Sequence, residues 1–171
     1  GTRELLHELA RNRPLHVLDD SLVAYYQAEK MTLLAHMATA QGASWIVPFD
    51  ADELWTAPGS TLAQKLRSTQ AAVVQADIYE YIPDQTDPSS TEVPDPFRRI
   101  RWRTATPTEH KKVAFRAHPF ARVHQGNHAV DRPGVMGGGL EVLHFPYRSI
   151  EQFIAKMRQG ATAMSDTDLS D

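Results

Sequence analysis

The sequence contains no cysteine, which excludes disulfide bonds and zinc sites built on thiolates. Its longest apolar runs, such as residues 45–49, are far shorter than the roughly 20 residues that a membrane-spanning helix needs. No signal-peptide pattern is visible, because Gly1 opens directly onto a charged helical pattern. From these absences we expect a cytoplasmic protein without a membrane span.

Composition and charge indicate a globular protein with one unusual segment. The 171 residues are 42% hydrophobic and 23% charged, which is typical of a folded domain with a core. The net charge is −3, yet residues 98–132 hold nine of the 18 basic residues and only two acids, Glu109 and Asp131. We expect this segment to bind a local anionic ligand rather than nucleic acid, which requires a basic domain.

Hydrophobic periodicity and turn residues predict alternating helices and strands. The predicted helices cover residues 2–13, 23–41, 61–68 and 149–159, the last capped by Ser149 and ended by Gly160. The predicted strands cover residues 15–18, 45–49, 71–82, 112–115, 120–124 and 140–145, with residues 137–139 as a flexible glycine turn and 83–96 as a loop. The order of elements predicts an α/β fold with parallel βαβ crossovers, in one domain over residues 1–160 with a frayed tail at 161–171.

An acidic cluster, Asp50-Ala51-Asp52-Glu53, directly follows the predicted strand 45–49. Ligands of open α/β sheets bind beyond the carboxyl ends of strands, and an extended backbone would turn Asp50 and Asp52 to the same side. Clustered carboxylates repel one another unless a cation compensates them, and their oxygens suit Mg²⁺ or Mn²⁺. The alternative is an acidic surface turn, or a helix N-cap cluster ahead of Leu54.

Three blocks of the sequence resemble the family-2-like glycosyltransferases. The first is Ser44-Trp45-Ile46-Val47-Pro48-Phe49-Asp50-Ala51-Asp52-Glu53-Leu54-Trp55, which is similar to the DxD segment of that family. The second is His110-Lys111-Lys112-Val113-Ala114-Phe115-Arg116 with Gln125-Gly126-Asn127-His128, and the third is Leu143-His144-Phe145-Pro146-Tyr147-Arg148-Ser149, which leads into Glu151-Gln152-Phe153 and Lys156. The segment Tyr26-Gln27-Ala28-Glu29 is also similar to the helix that precedes the DxD segment in that family. The three blocks occur in the expected order.

The resemblance implies a GT-A-like α/β fold, a mixed sheet flanked by helices. It also implies transfer of a sugar from a nucleoside-diphosphate donor to a carbohydrate or other hydroxyl acceptor, with Mn²⁺ or Mg²⁺ and inversion at the anomeric carbon. In the family a strand and a Gly-Ser-Thr-Asp-Gly-Thr-like turn come first, and Gly1-Thr2 are similar to the end of that turn. We therefore expect the first β-α unit, and with it most of the base pocket, to be missing.

The resemblance also assigns roles to residues late in the chain. His144 matches the histidine that completes the metal site with Asp50 and Asp52, and its alternative is a core histidine with a backbone partner. Tyr147 and Arg148 precede a predicted helix N-terminus, where they could bind the diphosphate together with free N–H groups. Their alternative role is a surface cap.

Further candidates come from the basic segment and the acidic cluster. Lys112 and Arg116 lie four residues apart, on one face of a strand, where they could neutralise the diphosphate, or they could merely guard a strand edge. An inverting transfer also needs a base to take the acceptor proton. The candidates for this base are Glu53, His128 and Asp131.

Two other classes of function are compatible with these residues. A non-catalytic nucleotide-sugar-binding module would keep the fold without turnover. A metal-dependent phosphohydrolase would use the same acids, although such enzymes gather more histidines and acids around two metals.

Overall fold

The computed structural model describes residues 2–21 and 26–165. Within these residues the fold is mixed α/β, with a five-stranded sheet, a two-stranded ribbon and five α-helices. The helices are α1 (Thr2–Ala10), α2 (Gln27–Ala40), α3 (Leu62–Ser68), α4 (Pro96–Arg99) and α5 (Ile150–Ser165). The strands are β1 (Trp45–Ile46), β2 (Glu53–Thr56), β3 (Val73–Glu80), β4 (Lys111–Arg116), β5 (Arg122–Val123), β6 (Val130–Asp131) and β7 (Met136–His144).

The five-stranded sheet has the order β1-β4-β3-β7-β2, and β5 pairs with β6 in the ribbon. Only β3 and β7 run parallel, while the other neighbours in the sheet are antiparallel. The prediction of parallel βαβ crossovers is therefore wrong: residues 15–18 form no strand, β1 is antiparallel to its neighbour, and three further strands lie between β3 and β7. In particular, β1 is an edge strand antiparallel to β4, so the acidic cluster follows an edge strand.

The core lies on the three central strands, β3, β4 and β7. Five large apolar side chains of these strands are almost completely buried: Val74, Val113, Phe115, Leu140 and Val142. Each such side chain contributes about 1.5–3 kcal/mol by leaving water. The ends of β3 and β7 are therefore firmly held.

Helix α2 packs against the ribbon through polar side chains as well as its buried Ala35. The Thr32 hydroxyl accepts a hydrogen bond from the Val123 N–H at 2.9 Å, and the His36 ring nitrogen Nε2 lies 2.7 Å from the Ala121 carbonyl oxygen. These contacts fix the position of the helix. They place its first residue, Gln27, beside the acidic cluster.

Several predicted elements are confirmed with small changes at their ends. The predicted helices at 2–13 and 61–68 correspond to α1 and α3, and Thr61 caps α3 in a capping box with Gln64. The strands predicted at 71–82, 112–115 and 120–124 correspond to β3, β4 and β5. Residues 83–96 form a loop that leads into α4. The helix predicted at 23–41 is α2, and residues 23–25 of that prediction lie outside the described residues.

Other predictions are wrong. Residues 15–18 are not a strand, and β1 ends at Ile46 rather than Phe49. Strand β2 was not predicted, because the acidic cluster was expected to precede a turn or a helix. Helix α5 continues through Gly160 to Ser165, so Gly160 does not end it. Residues 166–171 of the predicted tail lie outside the described residues.

The glycines at 137–139 lie within β7 and form no turn. Gly139 has φ +90°, which favours glycine, at a place where the register with β3 shifts. A Cβ atom on Gly137 would lie 2.9 Å from the Ala71 Cβ. Gly139 therefore allows a β-bulge in β7, and Gly137 allows β7 to lie close to Ala71.

No helix in the described part of the chain is both long enough and apolar enough to span a bilayer.

Candidate functional site

The acidic cluster forms a tight turn that leads from β1 to β2. The Glu53 N–H donates to the Asp50 carbonyl at 3.0 Å, and the Asp50 N–H donates to the Glu53 carboxylate at 3.2 Å. The Asp52 carbonyl accepts a hydrogen bond from the Phe145 N–H at 2.8 Å. The backbone is thus turned, where an extended strand was expected, and β7 holds the turn in place.

Beside this turn lies a cavity of about 510 Å³. Its walls are the acidic turn, the end of β7 and one side of α5. The residues that line it are Gln27, Asp50, Ala51, Asp52, His144, Arg148, Gln152, Ala155, Lys156 and Gln159. We call this cavity the Asp52 pocket. It brings together Asp50, Asp52, His144 and Arg148, which belong to two of the three sequence blocks.

Asp52 is a nearly buried carboxylate with two cationic neighbours. The His144 Nε2 lies 3.8 Å from its Oδ2, and the Lys156 ammonium donates to the same oxygen at 2.8 Å. His144 first, and then Lys156, hold the pKa of Asp52 well below its usual range, although burial acts in the opposite direction. Asp52 is therefore ionised at neutral pH.

His144 lies between two carboxylates. Its Nδ1 is 3.1 Å from Glu80 Oε1, at the end of β3, while Nε2 faces Asp52. Burial alone would lower the pKa of His144, but Asp52 and Glu80 outweigh burial and raise it. Glu80 orients the ring as carboxylates orient metal-binding histidines. His144 therefore has side-chain partners, and the alternative of a core histidine with a backbone partner does not describe it.

Asp50 lines the Asp52 pocket and is held by Gln27 and Lys112. Its Oδ1 accepts from the Gln27 amide at 3.0 Å, and its Oδ2 accepts from the Lys112 ammonium at 2.8 Å. Lys112 also lies 2.7 Å from Glu53 Oε1. The Lys112 and Glu53 side chains are only 7% and 1% exposed. Burial would lower the pKa of Lys112, but Asp50 and Glu53 raise it.

This buried triad changes the expected roles of two residues. The sequence predicted Lys112 as a diphosphate ligand and Glu53 as a catalytic base. In the structure they pair with each other, and neither lines the Asp52 pocket. Their geometry is that of a structural ion pair that supports Asp50.

Gln27 connects the second sequence block to the pocket. While its amide nitrogen donates to Asp50, its oxygen accepts from the Gly126 N–H at 2.9 Å. Gly126 has φ +72°, and a Cβ there would lie 2.5 Å from the His128 ring, so this close contact requires glycine. The Gln125 side chain accepts from the Ala28 N–H at 3.0 Å. Residues 125–126 thus position α2, and α2 positions Asp50.

Arg148 lies in the pocket wall just before α5. Its carbonyl accepts from Arg99 Nη2 at 2.6 Å, and its N–H donates to the Gln152 side chain at 3.1 Å. Its own Nε is buried without a hydrogen-bond partner. Tyr147, next to it, is exposed and packs its ring on Phe153 with centroids 5.2 Å apart. Tyr147 does not line the pocket.

Three predicted residues lie away from the Asp52 pocket. Arg116 stacks on Trp45 and donates to the Thr69 and Ala71 carbonyls. The His128 Nδ1 lies 2.7 Å from the Lys111 carbonyl oxygen, and its ring lies against His110. Asp131 lies 2.8 Å from the exposed His124 in the ribbon.

The sequence predicted no role for three residues of the site: Gln27, Glu80 and Lys156. Gln27 and Lys156 lie in segments that resemble the family, but the resemblance gave them no role, and nothing in the local pattern marks Glu80. Lys156 could have been found, because Gln152, Lys156 and Gln159 recur at helical spacing and form one polar face of α5.

The metal expectation rests on Asp52 and His144. Within the described residues, no group of three His, Asp or Glu side chains is arranged to hold a metal ion. Two ligands of one cation with bonds near 2.1 Å can lie at most about 4.2 Å apart, and Asp52 Oδ2 and His144 Nε2 meet this limit at 3.8 Å. Mg²⁺ commonly takes one or two protein carboxylates and completes its shell with phosphate oxygens and water. The donor set therefore fits a cation shared with a phosphate ligand.

Searches of protein-family models, curated proteins and solved structures find no match for this chain.

Proposed function

We propose that this protein is a GT-A-like glycosyltransferase, which moves a sugar from a nucleoside-diphosphate donor to an acceptor hydroxyl with the help of Mn²⁺ or Mg²⁺. The observation that carries the proposal is the meeting of Asp52, His144 and Arg148 in one pocket. About 90 residues separate the acidic turn from the other two side chains. A carboxylate, an imidazole and a guanidinium at one place suit a cation together with a diphosphate.

Asp52 and His144 are the residues that would hold the cation. When bound, the cation would stabilise the negative charge that develops on the departing diphosphate. Glu80 keeps the His144 ring in position, and Arg148 offers an unpaired buried Nε–H to an anionic group. The buried Lys112 pairs with both Asp50 and Glu53, so the acidic turn keeps its shape.

An inverting transfer needs a base that takes the acceptor proton. A base must come within hydrogen-bond reach of the acceptor hydroxyl. Glu53 is buried against Lys112, and His128 lies outside the pocket walls. The proposal assigns this role to neither residue.

Incubation with a panel of labelled nucleoside-diphosphate sugars, a mixture of candidate acceptors and Mn²⁺ tests the proposal. We expect transfer by the wild type, and a loss of at least about 100-fold for Asp52→Asn, since removing one group that stabilises a developing oxyanion costs 10²–10³ in rate. Asp77→Asn is the matched control, because Asp77 pairs with Lys111 away from the pocket. Release of phosphate without transfer would support a phosphohydrolase, and donor binding without turnover would support a binding module.

A further inference from the structure

Helix α5 carries Lys156 into the Asp52 pocket. Lys156 donates to Asp52 Oδ2 at 2.8 Å, and its side chain is 49% exposed. It shares a helical face with Gln152, Ala155 and Gln159, and this face forms one wall of the pocket. The Lys156 ammonium is thus close to the pocket space while it neutralises Asp52.

The position of Lys156 conflicts with a divalent cation on Asp52. A cation that binds Asp52 Oδ2 would approach the same oxygen that the ammonium contacts. Two positive groups at one carboxylate oxygen repel each other, and lysine has a flexible stem that lets its ammonium move at small cost. A diphosphate bound at the cation would offer anionic oxygens to the displaced ammonium.

We propose that Lys156 exchanges partners during donor binding: it is the counter-ion of Asp52 in the free protein and a ligand of the donor diphosphate in the complex. This inference rests on the proposed function, because it requires a cation at Asp52. The exchange makes Lys156 a competitor of the metal alone and a partner of the metal–diphosphate complex. Arg148, on the same wall, keeps its place and binds the diphosphate in addition.

The two roles predict opposite effects of one substitution. In Lys156→Met the competitor is gone, so Mn²⁺ alone should bind about two- to five-fold more tightly, as expected for the loss of a partly exposed ion pair. The same variant lacks a charge-assisted hydrogen bond to phosphate, so the preformed Mn²⁺–pyrophosphate complex should bind about 10- to 100-fold more weakly. Lys156→Arg keeps the charge and should restore binding of the complex.

Calorimetric titration of each variant with Mn²⁺, and separately with Mn²⁺–pyrophosphate, measures both effects. Lys111→Met is the control, because it also removes a lysine from an aspartate, Asp77, but outside the pocket. Opposite shifts in Lys156→Met, with wild-type values in Lys111→Met, would support the exchange.

The results also separate this inference from the proposed function. If the wild type binds both probes through Asp52, but Lys156→Met leaves both affinities unchanged or shifts them in the same direction, the exchange is refuted and the metal site stands. If the wild type binds neither probe, or if Asp52→Asn binds both as well as the wild type does, the metal site and the exchange are both refuted.

Discussion

At the scale of single residues, Lys112 shows how one contact changes a role. Its type and its place in a basic segment predicted a phosphate ligand. The structure surrounds it with Asp50 and Glu53 and buries it almost completely. A buried lysine between two carboxylates is a structural cation, because moving it toward a ligand would leave two buried negative charges unpaired.

Lys112→Met should therefore destabilise the protein strongly. Removing one partner of a buried ion pair costs about 3–5 kcal/mol of unfolding free energy. Lys111→Met, which breaks a half-exposed pair with Asp77, should cost at most about 1 kcal/mol. Urea denaturation of both variants measures the difference. A Lys112→Met protein with wild-type stability but weaker diphosphate binding would restore the prediction made from the sequence.

His144 supplies a prediction about pH. Its pKa is raised in the folded protein above its ordinary value of about 6.5. The stability that its charged form contributes is therefore fully present below about pH 6.5 and is lost as pH rises through the higher folded value. The pKa of Asp52 is lowered, so this carboxylate changes the stability only at acidic pH, well below the pH at which His144 titrates.

The stability difference between wild type and His144→Gln should accordingly shrink as pH rises from about 6 to 9. Urea denaturation across this range measures it. His16→Gln serves as the control, since His16 is exposed outside the pocket, and it should follow the wild-type curve. A difference that stays constant with pH would show that folding does not raise the pKa of His144.

At the scale of elements, helix α5 differs most from its prediction. Gly160 was expected to end the helix in the left-handed conformation that glycine favours. Instead the helix continues to Ser165, and a Cβ on Gly160 would meet no atom within 4 Å. Local pattern alone does not distinguish a glycine that ends a helix from one inside it.

Gly160→Ala separates these two roles. Inside a helix, alanine should stabilise α5 by about 0.5–1 kcal/mol, because alanine loses less conformational freedom on folding. At a left-handed C-terminal position, the same change would destabilise the helix. Thermal unfolding of Gly160→Ala shows whether the variant is more or less stable than the wild type. Gly139→Ala is the contrast: Gly139 has φ +90°, so alanine there should lower the stability.

Elements whose own residues specify them were predictable. The capping box at Thr61 and the apolar alternation of β3 are local features, and α3 and β3 lie near their predicted bounds. Sheet order depends on distant pairing, and the single parallel pair, β3 with β7, joins segments about 60 residues apart. Strand β2 was missed because its first residue belongs to the acidic cluster and because it pairs with β7, which lies still farther along the chain (Glu53 pairs with His144).

At the scale of the whole molecule, the basic segment 98–132, which was expected to bind an anionic ligand, contributes no residue to the lining of the Asp52 pocket. Its cations are largely engaged inside the protein: Arg99 with a carbonyl, Arg103 with Tyr79 and Glu141, Lys112 with two acids, and Arg116 and Arg132 with backbone carbonyls. The pocket's positive groups are Arg148, Lys156 and His144, which lie later in the chain. Net charge by segment predicts a surface field, not the partner of each side chain.

The central claim is that the Asp52 pocket binds a divalent cation together with a diphosphate, and Mn²⁺ titration tests it most directly. Calorimetry should show Mn²⁺ binding to the wild type, an affinity at least about 10-fold lower in Asp52→Asn, as expected when a ligand or its support is removed, and no change in Asp77→Asn. Nucleoside diphosphate should tighten Mn²⁺ binding in the wild type, and Mn²⁺ should tighten nucleoside diphosphate binding by the same factor. Equal Mn²⁺ affinity in wild type and Asp52→Asn would contradict the account.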